Sequence, residues 1–413
     1  MPPLLTLVFV VLFSLRFQAA AIVDFGIIVL DDPRNQTAPL PPPEACAIEL
    51  ECAECVPDHM PLLRSHAAAD GTVRLRAGER LELSCGAGKF LAYPLLGELA
   101  ADCEAGRYRV RHDGRLRHLL DLGCQEDLIE DVLHPVEHCP PPLQGRAYVT
   151  RQDGRVRHAA TVCYDADRAL AVRLHAARAG LELPPHADGA APLSLLGNFN
   201  QMFDASTRRD AERLYSDDAS LNRRLRELLR HERVALGGLT LTAARLLAPQ
   251  YLPAGAERAA ELATNKAAVW ASVAAGNLRH LQADVARLLR ARPGLQVLAG
   301  THGALAPAGG PLRLRGGRFP VPRYVWTAVA EAGGARGAAL VLLNDPLVRV
   351  SDIRAAVFCE SACATLPWLR DLLRAGNYER PALGLVFCCN LRDFTALVPE
   401  MPNIFNSTVQ MLV

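Results

Sequence analysis

Cys52-x-x-Cys55, with Cys46 nearby, has the spacing at which two thiolates can grip one zinc ion. A closed zinc site takes four ligands, and no second CxxC or HxxxH follows at zinc-finger distance. The competing chemistry is oxidation. All 12 cysteines lie beyond the first 21 residues, and an even number of them in an oxidising compartment would pair. Disulfides are therefore the expectation and zinc the alternative.

The other chemistry-bearing group is basic. Arg223, Arg224, Arg226 and Arg230 lie mostly opposite Leu221, Leu225, Leu228 and Leu229 on a helix that Ser216-Asp-Asp could cap. Such a face is either solvated or a track for nucleic acid. Two general features weigh against the track. Lys89 and Lys266 are the only lysines, a skew towards arginine that looks like coding bias, and the net charge is only +1, whereas phosphate contacts need a basic surface.

The elements that must position these residues begin after an apolar run from Leu4 to Leu15 and a small-residue stretch, Ala19-Ala20-Ala21, of the kind signal peptidase accepts. No Lys or Arg precedes Arg16, so the positive charge of the n-region must come from the amino terminus. The run is shorter than the roughly 20 apolar residues that span a bilayer, so residues 1–21 read as a secretory signal and not an anchor. No later stretch is long and apolar enough to cross a membrane. A secreted, extracellular chain is expected, with Asn35-Gln-Thr37 and Asn406-Ser-Thr408 open to glycosylation. The sequence identifies no protein partner.

A length of 413 residues is comfortable for two domains. Residues 22–45 read as a Pro-rich linker, and residues 46–180, with eight of the cysteines, as a Cys-rich β module. There Val73, Leu75, Leu81 and Leu83 alternate with polar residues across Ala77-Gly78. Arg111 to His118 and Arg151 to His158 are alike, each with an Asp-Gly turn signal, as paired hairpins or a decayed duplication would be. No catalytic constellation appears in this module. Residues 181–196 read as a second linker, rich in Pro, Ala and Gly from Leu181 to Pro192. Residues 197–413 mix helix and strand signals. Leu278, Leu281, Val285, Leu288 and Leu289 predict an amphipathic helix ending at Arg292-Pro-Gly, and strand-like runs follow at Leu295 to Ala299, Arg323 to Val329 and Ala338 to Leu343, so the fold class is α+β.

Within that second part, Asn265-Lys-Ala-Ala-Val-Trp270 is followed by Gly276-Asn-Leu-x-x-Leu-Gln282, Gly300-Thr-His-Gly303, Val321-Pro-Arg-Tyr-Val-Trp326 and Asn344-Asp-Pro346. Cys388-Cys389, Asp393-Phe394 and Met401-Pro402 close the series. In order and spacing it resembles the DNA/RNA non-specific endonucleases, especially their arthropod secreted branch, over roughly Gly197 to Pro402. The matching family segments are N-x-A-P-Q-W, F-N-x-G-N-W-x-x-L-E, G-T-x-G, V-P-K-Y-x-W and N-N-P.

The resemblance implies a ββα-metal nuclease-like domain preceded by the disulfide-bonded β-rich module. It also implies a divalent ion, usually Mg2+, against the scissile phosphate, and a histidine in an R-G-H motif that activates water. This chain departs at those positions. Pro249-Gln-Tyr251 stands for R-G-H, so Tyr251 takes the place of the base. A tyrosine with its ordinary pKa near 10 stays protonated at neutral pH, where histidine near 6.5 accepts a proton. Ala274 stands where the metal asparagine belongs and cannot ligate, and Gln282 stands for the glutamate without its charge. Mg2+ is therefore doubtful here. Asn265 and Asn277 match family asparagines that support the site, and both are of a type that also braces turns or caps helices. His302 and His280 are the candidates for a relocated base facing the cleft. The leading expectation is a secreted nuclease-like protein that binds DNA or RNA with little or no catalysis. The alternatives are an active metal-dependent endonuclease using replacement residues, and an extracellular binding or structural protein with the nuclease fold as scaffold.

Overall fold

Apolar residues at every second position shape the first strands, as a half-buried sheet requires. These are β1 (Cys46–Glu49), β2 (Leu62–Leu63), β3 (Thr72–Leu75), β4 (Arg80–Ser84), β5 (Glu98–Glu104), β6 (Arg107–Val110) and β7 (Leu116–Arg117). β1 pairs with β3, and the other five form a sheet in the order β2-β4-β5-β6-β7. Val73, Leu75, Leu81 and Leu83 all point inward, although β3 and β4 belong to different sheets. One small core serves residues 46–128, stapled by Cys46–Cys103 and Cys85–Cys124. Cys55 is also disulfide-bonded and no cysteine among the described residues is free, so the described cysteines offer zinc no thiolate.

This computed structural model describes residues 45–49, 55–57, 59–65, 72–86, 88–126, 128–152, 155–176, 214–215, 218–229, 239–253, 256–307, 310–332, 335–401 and 410–413. The expected signal, the first linker but for Ala45, the second linker, Asn35, Cys52, Ser216, Asp217, Arg230 and Asn406 lie outside the described residues.

Four strands, β8 (Ile129–Leu133), β9 (Gln144–Gln152), β10 (Arg155–Asp165) and β11 (Leu170–Ala176), come next. Then follow α1 (Asp218–Leu229), β12 (Leu241–Arg245), β13 (Lys266–Trp270), α2 (Arg279–Ala291) and β14 (Leu295–Ala304). The chain continues through the hairpin β15 (Arg313–Arg315) and β16 (Arg318–Pro320), then β17 (Pro322–Glu331), β18 (Arg336–Leu343), α3 (Val350–Ala356) and α4 (Arg370–Ala375). It closes with β19 (Leu385–Cys389), α5 (Leu391–Leu397) and β20 (Gln410–Met411). Helices and strands thus mix as an α+β chain does, with strands dominant.

Nine of these strands make one sheet, in the order β19-β18-β17-β14-β11-β10-β9-β8, with β20 added in parallel to β18. The sheet corrects the extent of the expected module 46–180. β11 pairs with β14, from Arg173 opposite Gly300 to Ala176 opposite Val297, and β9–β11 share a core with α1, α2, β17 and β18. Composition placed the break in the Pro/Ala/Gly stretch, whereas the backbone ladder runs across it; the small core ends near Leu128. The first Asp-Gly segment lies in the hairpin β6–β7; the second falls between the paired strands β9 and β10, in a separate sheet, with Asp153 and Gly154 themselves outside the described residues.

Both faces of the large sheet are covered, so its central strands read as continuous apolar runs. Val297, Ala299, Val325, Leu340 and Leu342 point to one face, against β12, β13 and α2. Leu298, Tyr324, Trp326, Ala339 and Val341 point to the other, against α3 and α5. At the sheet edge, neighbouring Cys388 and Cys389 on β19 face opposite sides and bond to Cys363 and Cys359 respectively. The segment between those two partners wraps the edge, and its Ala362 N–H donates to the Cys388 carbonyl at 2.9 Å. Capping an edge strand this way removes a template for aggregation.

Candidate functional site

β12 and β13 pair antiparallel from Leu241 opposite Trp270 to Arg245 opposite Lys266, and a helical segment starts directly after β13. Strand, strand and helix therefore follow one another over 241–291, on the first face of the large sheet. Buried Asn344 fixes the far end of β13: its Oδ1 accepts from the Trp270 N–H at 3.1 Å while its Nδ2 donates to the Pro322 carbonyl at 2.9 Å.

Asn265 closes the connection between the two strands. Its Oδ1 accepts from the Leu247 N–H at 2.9 Å, and its Nδ2 donates to the carbonyls of Leu247 and Ala260 at 2.9 and 2.8 Å. With the side chain fully buried, the amide braces the turn and has nothing left for a substrate. Tyr251 sits in that same connection at 0% exposure, and its hydroxyl donates to the Gln282 backbone carbonyl at 3.4 Å. Burial first, and the negative charge of Asp284 second, push the phenol well above its ordinary value of 10. A group so placed keeps its proton throughout the neutral range.

The helical segment that follows β13 is widened over Ala274–Leu278 and kinks at Gly276, whose ψ of −119° is non-helical. A Cβ on Gly276 would come within 2.8 Å of the Leu383 carbonyl oxygen, so the close approach of that loop demands glycine. Asn277 uses the approach, its Nδ2 donating to Asn377 O at 2.8 Å and Gly384 O at 2.6 Å. It thereby ties the helix start to the segment before β19. Ala274 packs its methyl group, partly buried, against the main core. Gln282, on α2, donates from Nε2 to the Arg245 carbonyl at 2.9 Å.

The fold thus brings Tyr251 to the Gln282 backbone and assigns Asn265 and Asn277 to two different loops. The donor set does not fit a divalent ion. Ala274 offers no oxygen, and the Asn265 oxygen is occupied. The Asn277 Oδ1 is buried with no hydrogen-bond partner among the described residues, a neutral oxygen closed off from the waters that a magnesium ion keeps. Among the described residues no group of three or more His, Cys, Asp and Glu converges on a point.

The relocated-base candidates fare differently. His302, opposite Tyr324 on β17, projects with Leu298 to the second face of the sheet, away from Tyr251 and α2. There its Nδ1 meets Glu400 Oε2 at 2.9 Å and its ring stacks on Tyr324. His302 and Tyr251 therefore lie on opposite faces of the sheet, because side chains two apart along a strand share a face. His280 is half-buried on α2 and has no hydrogen bond among the described residues.

No protein-family model and no curated protein matches this chain.

Two polar clusters near the site were not singled out from sequence. At the end of the β12–β13 ladder that the connection joins, Glu261 accepts from Arg245 Nε at 2.6 Å and from Lys266 Nζ at 3.2 Å. Burial opposes the charge on Glu261, but the two cations outweigh it and hold the carboxyl below its ordinary range. Lys266 was the available signal, as one of only two lysines in an arginine-rich chain. The second cluster is interior. Arg146 on β9, 0% exposed, donates from Nε to Asp131 on β8 at 2.7 Å; Thr264 donates to the other Asp131 oxygen at 2.6 Å, and Tyr148 meets Thr264 at 3.0 Å. Thr264 precedes Asn265, so this network anchors the strand–strand connection to the large sheet. No spacing rule joins residues more than a hundred positions apart.

Proposed function

We propose that this protein is an exported relative of the DNA/RNA non-specific endonucleases that keeps their strand–strand–helix framework, binds nucleic acid and does little or no hydrolysis. The observation that carries the reading is Tyr251: at the position of the family base stands a phenol sealed from solvent, its hydroxyl donating to Gln282 O and its pKa pushed upward by burial. Removing a general base costs about 10²–10⁴-fold in rate, and a missing ion compounds the loss. The five disulfides between described cysteines agree with an oxidising destination.

The test compares wild type with the triple variant Tyr251→His, Ala274→Asn, Gln282→Glu on plasmid DNA and RNA, with and without Mg2+. The expected result is no magnesium-dependent cleavage by wild type and a detectable gain in the variant. Cleavage by wild type at a rate typical of the family overturns the reading.

A further inference from the structure

On the second face of the large sheet, Glu400 and His302 form a pair that the strand–strand–helix unit does not use. Glu400 is held by its neighbours, since Val398 and Met401 are buried in the second core and the Met401 N–H donates to the Val398 carbonyl at 3.0 Å. His302 is held by its ring, which stacks on Tyr324 with 6.0 Å between centroids and 27° between planes. Tyr324 is fixed in turn: its hydroxyl donates to the Ala356 carbonyl at 2.9 Å, and its ring packs edge to face with Phe358 and Phe387. A carboxylate on Nδ1 makes that nitrogen the proton donor and leaves Nε2 as the acceptor. The imidazole side chain is 27% exposed, and its Nε2 has no hydrogen-bond partner among the described residues. A tether for the segment at Glu400 needs only the ion pair. An imidazole aimed by a carboxylate, with its far nitrogen open, is what a general base needs.

A cation comes from the neighbouring strand. Arg323 precedes Tyr324 on β17, and its guanidinium lies over the same ring, 5.4 Å from the centroid. The backbone one residue after His302 runs beside it: a Cβ on Gly303 would be 3.7 Å from the Arg323 Cβ. Among the described residues no ion pair or hydrogen bond engages the Arg323 guanidinium. Its charge reaches Asp345, but that carboxyl accepts from the Leu347 N–H at 3.2 Å and not from Arg323. An imidazole with an open nitrogen and an unpaired guanidinium thus border one aromatic ring. Guanidinium groups match phosphate oxygens two at a time.

Resting on the nucleic-acid reading above, we infer that His302, positioned by Glu400, and Arg323 form a second site that cleaves RNA by internal transesterification. His302 Nε2 takes the proton of a ribose 2′-hydroxyl, the 2′ oxygen bonds to the adjacent phosphorus, and the bond from phosphorus to the 5′ oxygen breaks. The departing oxygen takes a proton from water, and the imidazolium returns its proton to the hydroxide so formed. Arg323 holds the phosphate oxygens on which negative charge builds. The products are a 2′,3′-cyclic phosphate and a free 5′-hydroxyl, and DNA, which has no 2′-hydroxyl, is not a substrate. No divalent ion enters the balance, so the step is separate from the metal-dependent hydrolysis that the Tyr251 position has lost.

The full mature chain is incubated in EDTA with labelled single-stranded RNA, and with DNA and 2′-O-methyl RNA of the same sequence. Wild type is compared with His302→Ala, Glu400→Gln, Arg323→Ala and a control, Arg370→Ala/Arg374→Ala, whose exposed arginines lie on α4. Wild type and control are expected to cleave the RNA alone and to leave cyclic phosphate ends. His302→Ala should be slower by about 10²-fold or more, with activity partly restored by added imidazole. Glu400→Gln should lower kcat with KM little changed, as a positioning residue does, and Arg323→Ala should lower kcat and raise KM. Cleavage that persists in His302→Ala overturns the second site, and so does a loss that imidazole does not restore, which would make His302 structural. Binding of 2′-O-methyl RNA without any cleavage of RNA overturns the second site and leaves the nucleic-acid reading standing. Absence of 2′-O-methyl RNA binding at low salt overturns the nucleic-acid reading itself.

Discussion

A sealed phenol and a sealed imidazole define how single residues behave in this protein. Tyr251 is held protonated by burial, and its hydroxyl is spent on a carbonyl of α2. His175 on β11 is the opposite case: the residue is partly exposed, yet its Nε2 is closed off from solvent without a hydrogen-bond partner among the described residues. Burial and then the Arg173 charge push its pKa down to about 4. Between that value and the ordinary one near 6.5 the unfolded chain binds a proton that the folded chain refuses, so acid favours unfolding. Stability from this group is expected to be full above about pH 6.5 and to fall as pH drops towards 4. In denaturant titrations, His175→Gln should lose on the order of 1–2 kcal/mol less than wild type between pH 7 and pH 5. Parallel losses in the two proteins would assign the acid sensitivity to carboxylates instead.

At the scale of elements, the question is what holds the strand–strand–helix unit to the sheet. The Asp131–Arg146 pair answers it, since both are within 1% of full burial and Thr264 and Tyr148 extend the pair into the connection before β13. Burial raises the Asp131 carboxyl above its ordinary value, and Arg146 and Thr264 oppose that rise. Removing one partner leaves an uncompensated buried charge, so Asp131→Asn is expected to cost about 3–5 kcal/mol, whereas replacing both, Asp131→Leu with Arg146→Met, should cost far less. Urea unfolding of the three proteins checks this. A double variant as unstable as the single one would mean that the hydrogen bonds, and not the charge balance, hold the element.

For the molecule as a whole, the clasp around β19 closes one end of the nine-stranded sheet. Cys363–Cys388 and Cys359–Cys389 span 25 and 30 residues and bind the same segment to both faces of the edge strand. Loops of that size stabilise by about 2–4 kcal/mol each, mainly by restricting the unfolded chain. The variant Cys363→Ser/Cys388→Ser should therefore unfold at lower temperature and, with the edge strand released, aggregate more readily on refolding. Light scattering during refolding is the readout, and an unchanged signal would show that Ala362 and its neighbours cover the edge without the covalent bond.

How much of this was legible beforehand depends on the range of the interaction. The alternation of Val73, Leu75, Leu81 and Leu83 and the helical period of Leu281, Val285 and Leu288 are local properties of side-chain direction, and those elements form as read. The absence of a proton acceptor at Tyr251 and of a ligand at Ala274 was equally plain, because identity alone decides whether a side chain can accept a proton or an ion. Pairing across the chain was not plain. That β11 would hydrogen-bond β14, that His302 would turn from Tyr251 to Glu400, that Arg224 would reach the β15–β16 hairpin, and that adjacent Cys388 and Cys389 would bond on opposite faces are set by register and packing between distant segments. The amino-acid types determined what chemistry the chain lacks. Only the tertiary structure decided which of its remaining charges meet, because sheet register fixes the face of every side chain at once.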